Sequence, residues 1–306
     1  MTAGELVMRA TARPASSPSS VVWTLAGMEG RRHLRNPVLW FGVAVSVYSA
    51  WESSSLEWTA GPYSMFPVAV VPAAWALFVL GVVSGGRDHL AGLRPSPGVA
   101  VATGDDRVAI ARLLGLLAPL AVVTAVVAGM VVVARLGGGY SIGERSWRTT
   151  DAQHTPPEII QPILLAALCA VAGVAVGRAV RYTIVAVAAG TLVLFVFGLI
   201  SWAWQWTPAV YVAPVQQQPF SVDLAHADPT LAPADWWLSA PGQYQRGWRR
   251  LVVDPVVAGG HDLVLLGACA AFAGWAIRRS VGRMLAATGV ALAVVGVVVQ
   301  VMAAPW

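Results

Sequence analysis

Lysine is absent from this chain of 306 residues; all 20 basic side chains are arginine. A Walker A phosphate loop needs a lysine to reach the β- and γ-phosphates, and a Schiff-base enzyme needs a lysine amine, so neither can be built here. Charge of either sign is scarce. Only 11% of the residues are charged against 57% hydrophobic, whereas a chain that must cover itself in water carries about 25% charged residues. Cysteine is almost missing: Cys169 and Cys269 are the two, each inside an apolar run. That excludes a zinc or iron–sulfur site built of thiolates and reads as two small core residues rather than a disulfide. The histidines number five, and no two stand four apart, so there is no H-E-x-x-H helix.

Long apolar sequence is what the chain has in abundance. A membrane-crossing helix takes about 20 mainly apolar residues. Seven runs of that kind stand at about 37–53, 63–84, 113–134, 159–177, 182–203, 261–277 and 284–304. They predict an all-α fold, a polytopic transmembrane helical bundle of about seven spans, occupying 37–306. Asp105 and Asp106 mark a helix start ahead of the third run, so that helix begins outside the lipid and carries Arg107 and Arg112 there.

Residues 1–36 read as a cytoplasmic tail ending in an interfacial helix. The first 20 are rich in Ala, Ser, Pro and Thr and lack the apolar stretch of a signal peptide. Over 20–35, Val21, Val22, Leu25 and Met28 recur at helical spacing before Arg31, Arg32 and Arg35, the pattern of a short amphipathic helix on a membrane surface.

Arginine placement orients the bundle. With the N-terminus inside, the inner segments carry 14 arginines and the outer segments 6, and the net charge is +9 inside against −4 outside. This bias places the basic charge beside spans and argues against a nucleic-acid partner. Trp51, Trp58, Trp202, Trp204 and Trp206 fall at outer span ends, where amphipathic rings anchor to headgroups. The outer segment 204–260 holds seven prolines and predicts an irregular extracytoplasmic cap with one short helix after Pro233 or Pro241. Gly81 with Gly85, and Gly173 with Gly177, form G-x-x-x-G pairs suited to close helix packing.

With these boundaries, no run holds an Asp, Glu, Arg or His near its centre. His261 and Asp262, opening the sixth run, read as an interfacial polar cap. Ionisable groups in hydrocarbon usually mark ion paths or proton relays, so any work done by this chain is expected to draw its energy from elsewhere. Catalytic constellations are poor. Ser141, in Gly139-Tyr-Ser-Ile-Gly143, lies thirteen residues before His154 with no acid partner indicated, and Asp223, His226, Asp228 and Asp235 form the one cluster for chemistry at the outer interface, where a solvated loop is the simpler reading.

Two stretches carry a family likeness. The first is Glu29-Gly-Arg-Arg-His-Leu-Arg-Asn-Pro37, directly before the first run. The second is Arg87-Asp-His-Leu-Ala-Gly-Leu-Arg-Pro-Ser-Pro97, followed by Arg107-Val-Ala-Ile-Ala-Arg-Leu-Leu114. An acidic-basic interfacial helix ending in Arg-x-Pro, then an inner loop of the form Leu-x-x-Leu-x-Pro, resembles the permease subunits of ABC-2 type ABC transporters. Asp254–Gly267, leading into the sixth run, is similar to actinobacterial members.

The resemblance implies a six-span core, here with one further C-terminal span, in a bacterial plasma membrane with a cytoplasmic N-terminus. It implies a second permease subunit, identical or not, and a separate ATP-binding subunit that supplies hydrolysis, so that this chain is a permease, is no enzyme itself and holds no cofactor or metal. It places that subunit's docking surface at Glu29, Arg31, Arg32, Arg35, Arg87, Asp88, His89, Leu93 and Arg94. A non-transporting membrane scaffold or accessory subunit is the alternative, since it too needs no charged span. The family pattern differs in having six spans in many members and a shorter inner loop than Gly98–Asp106 makes here.

Overall fold

A computed structural model describes residues 18–54, 66–91, 105–138, 140–142, 149–152, 154–203, 211–213, 215, 220–223, 249–252, 255–277 and 280–303. Nine helices account for most of them: α1 (Pro18–Leu34), α2 (Pro37–Ser54), α3 (Val71–Ala91), α4 (Asp105–Gly115), α5 (Leu117–Leu136), α6 (Pro156–Ala179), α7 (Thr183–Ala203), α8 (Pro255–Ile277) and α9 (Ser280–Ala303). Five stretches are helical, long and apolar enough to cross a membrane: Phe66–Arg87, Asp106–Leu136, Pro156–Ala179, Pro255–Ile277 and Ser280–Ala303. Helices α2 and α7 lie over the first and fifth apolar runs.

Local chemistry sets the boundaries. Asn36 caps α2, its side-chain oxygen accepting from Val38 N–H at 3.0 Å, and Pro37 takes the first helical position where no donor is needed. Glu158 reaches back to Thr155 N–H at 2.8 Å at the start of α6. The break at Leu116 between α4 and α5 follows from Pro119, whose ring clashes with the carbonyl four residues earlier, that of Gly115. Pro72 acts likewise on α3, which is preceded by a turn at Val70. There the hydroxyl of Ser46 on α2, fully buried, accepts Ala73 N–H at 3.0 Å. The chain leaves α5 through Gly138 at a φ of 90°, a left-handed conformation suited to glycine.

Glycines decide how the helices pair. Helices α3 and α6 run parallel, with Gly81 and Gly85 lying against Gly173, Val174 and Arg178. The two G-x-x-x-G pairs expected to pack closely therefore pack on each other. Helices α8 and α9 run antiparallel on a repeat that the sequence also carries: Gly260, Gly267 and Gly274 are spaced by seven, as are Gly282, Gly289 and Gly296. Gly267 meets Gly289, Gly274 meets Gly282, and Gly260 meets Gly296. Residues seven apart fall on one helical stripe, so the backbones touch at three levels. Helix α2 runs antiparallel to α3, Gly42 facing Ala76 while Ser46 faces Ala73. Helix α7 also runs antiparallel to α3, with Thr183 beside Gly86 and Gly190 under the Phe78 ring.

The core is built around α3 and α6, with Leu39, Leu77, Leu80, Val123, Val127 and Val174 fully buried. Large apolar side chains stay exposed on the flanks of α2, α5, α7 and α9, including Phe41, Val133, Phe195 and Met302. Contiguous exposure of that kind suits hydrocarbon, not water.

Two short antiparallel ladders stand apart from the helices: β1 (Tyr140–Ile142) with β2 (Thr149–Ala152), and β3 (Phe220–Asp223) with β4 (Arg249–Val252). The second pairs the two ends of the outer segment, Asp223 opposite Arg249, where proline content had suggested only irregular chain. The short helix expected after Pro233 or Pro241 falls outside the described residues.

Candidate functional site

The expected docking surface begins on α1. Its Gly30 lies against Gly115 and Ala118, and Gly115 in turn meets Ala26 and Glu29, so α1 seats on the α4–α5 junction without intervening side chains. This leaves Arg31, Arg32 and Arg35 exposed. Glu29 turns inward instead and takes two hydrogen bonds from the Arg87 guanidinium at 2.6 and 2.5 Å. The two stretches picked out by sequence, 58 residues apart, are thus tied by a charge-assisted pair in which both side chains are about four-fifths buried.

His33, 2% exposed, lies 3.9 Å from the same carboxylate. Burial pushes its imidazole down to about 4; Glu29 opposes that, and Arg87 and Arg32 add to it. His33 is therefore neutral at pH 7. Asp88 and His89 occupy the last turn of α3, Leu93 and Arg94 lie outside the described residues, and nothing is described of the Asp88 and His89 side chains. Arg112 and Arg178, 8% and 3% exposed, are drawn into the bundle.

In chemical terms the site is a strut. Glu29–Arg87 links α1 to α3, and α3 in turn touches α6 through the glycine backbones.

A second feature is an apolar cavity of about 610 Å3 between α3, α6 and α7, lined by Val71, Trp75, Leu165, Thr191, Leu194 and Gly198 among others. Among the described residues that line it, the Cys169 thiol is the one ionisable group.

A third overturns an expectation. Helix α8, over the sixth apolar run, begins at Pro255, six residues before His261. The outer segment was expected to run to 260, but Pro255 at the helix start and close packing of Gly260 on α9 make 255–260 helical. A helix of 23 residues spans about 34 Å against a hydrocarbon layer of about 30 Å. His261, about 9 Å along it, is fully buried among the helices and not exposed at a helix end. Gln300 is the polar side chain beside its ring, and Oδ1 of Asp262 has no hydrogen-bond partner among the described residues. The Gln300 amide donates to Tyr211 O at 3.0 Å and Gly296 O at 3.3 Å. The spans are therefore not free of ionisable groups. Among the described residues no group of three His, Cys, Asp or Glu could hold a metal ion.

No family model, curated protein or solved structure matches this chain.

Proposed function

We propose that this chain is the membrane-spanning permease subunit of an ABC transporter, an exporter driven by a separate ATP-hydrolysing subunit and working beside a second permease subunit. The observation that carries the reading is the Glu29–Arg87 tie. It joins an interfacial helix with three exposed arginines to the inner end of a span, which is what a stroke delivered from a docked motor requires. Seven crossings with a cytoplasmic N-terminus, in a bacterial plasma membrane, complete the reading. It is supported by the arginine bias and by the relative directions of α2, α3, α6, α7, α8 and α9, each of which is that of alternate crossings.

The test is purification of the full chain in mild detergent with its bound proteins identified by mass spectrometry. An ATP-binding protein should co-purify and be lost when Arg31, Arg32 and Arg35 are changed together to glutamate. Transport by the chain reconstituted alone, without ATP, would refute the reading.

His261 favours a second reading, proton-coupled transport by the chain itself, because an ionisable group inside a span is the ordinary mark of a proton path. Uptake or efflux that follows a pH gradient and disappears in His261→Asn would select it over the motor-driven permease. A scaffold role predicts neither dependence.

A further inference from the structure

Helix α7 is fastened to α3 at three levels and then let go. Thr183 sits beside Gly86 near one end. The Phe78 ring lies directly on Gly190, so that a Cβ added there would have to displace the ring. One residue further, Trp75 Nε1 donates to Thr191 Oγ1 at 2.9 Å, and the Thr191 hydroxyl donates in turn to Val187 O at 2.8 Å. Beyond Thr191 the two helices part. Leu194 and Gly198 face Val71 across the 610 Å3 cavity, with Leu165 of α6 behind them. A Cβ built on Gly198 would meet nothing within 4 Å.

The chemistry of this wedge selects its occupant. Its indole N–H and threonine hydroxyl are engaged with each other, so a headgroup placed there would lose water and gain no partner. A hydrocarbon chain loses nothing. The outer flank of α7 beside the cavity exposes Leu192, Val193, Phe195 and Val196, an apolar surface that faces lipid in a membrane-crossing bundle. The volume falls within the range of ordinary ligand pockets, about 300–1,000 Å3. We propose that the wedge between α3, α6 and α7 is a lateral binding site for one acyl chain of a bilayer phospholipid. Lipid tails are as apolar as the wall, so retention rests on dispersion contacts with Trp75 and its neighbours, not on the hydrophobic effect. The site does not depend on how transport is powered.

The experiment uses the full chain in phosphatidylcholine vesicles containing phosphatidylcholine brominated at mid-chain, a contact quencher of indole. The difference in emission between the wild type and Trp75→Phe isolates Trp75 from the 14 tryptophans. Half-buried Trp75 should be quenched at least as strongly as Trp40, which is 51% exposed on α2 and isolated in the same way with Trp40→Phe. Gly198→Phe, which fills the wedge without touching the Trp75–Thr191 bond, should reduce Trp75 quenching at least threefold and leave Trp40 quenching unchanged. Leu194→Phe should do the same if Gly198→Phe fails to fold. Trp75 emission insensitive to brominated chains would overturn the proposal, as would quenching that survives both fillings.

Discussion

Adding one methyl group at Gly289 tests whether α8 and α9 touch backbone to backbone. A Cβ there would stand 2.5 Å from Ala271 N and from Gly267 O, where ordinary contact is 3.4–4 Å. Neither neighbour is a flexible side chain, so the helices must move apart by about 1 Å or bend. Overpacking of this kind costs about 1–3 kcal/mol, roughly a 5- to 150-fold shift of the folding equilibrium. Gly267→Ala, whose new atom would lie 2.5 Å from Gly289 O and 2.6 Å from Ala293 N, should cost as much. Gly259→Ala supplies the control on the same helix, because nothing lies within 4 Å of its added atom. Alanine is the better helix former by about 0.5–1 kcal/mol, so this variant should be neutral or slightly stabilised. SDS titration of detergent-solubilised protein followed by far-ultraviolet circular dichroism reads all three. Midpoints for Gly289→Ala and Gly267→Ala equal to that of Gly259→Ala would refute the seven-residue glycine contact.

Three other outcomes are expected. His33 is buried neutral, so the undocked state binds more protons than the folded one between pH 6.5 and about 4; stability is fully present above pH 6.5 and falls as pH drops through that window, by on the order of 2–3 kcal/mol. Denaturation midpoints between pH 7.5 and 4.5 should show this slope, and His33→Gln should flatten it. Glu29→Gln should destabilise α1 docking by roughly 1.5–3 kcal/mol through loss of the charge-assisted bonds, Arg87→Gln similarly, and the exchange Glu29→Arg with Arg87→Glu should restore part of it in a double-mutant cycle. Ser46→Ala leaves Ala73 N–H without its buried acceptor and should cost about 1 kcal/mol in the same titration, whereas Ser49→Ala, whose hydroxyl serves no backbone donor on α3, should cost less.

Much of the bundle was legible because hydrocarbon imposes a length on any helix that crosses it. The runs at 159–177 and 182–203 correspond to α6 and α7 with small shifts, and the G-x-x-x-G pairs pack as spacing alone suggests. The seven-residue glycine register of α8 and α9 is equally present in the sequence, but it does not take the G-x-x-x-G form that marks close packing most directly. His261, expected as a polar cap at the head of the sixth run, instead lies six residues into α8 and is fully buried. For the expected docking surface, the family resemblance marked Glu29 and Arg87 as members of two separate motifs; that they bind each other is a fact of tertiary packing, carried by no local pattern. The acyl-chain wedge had no signal at all, since it arises where α7 diverges from α3, and a divergence leaves no residue type behind.

Glycine contacts have a mechanical consequence. Side chains that interleave can change rotamer and slide, but backbones in direct contact have nothing between them to rearrange. The pairs α3–α6 and α8–α9 should each behave as a stiff plank. Their mutual boundary is different: α6 and α8 meet through longer groups, with the Gln161 amide 3.4 Å from Ala258 O and the Cys269 sulfur 3.8 Å from Leu164 O. Any large movement of this bundle has its bearing there, and a cross-link between α6 and α8 would arrest it where one within either plank would change nothing.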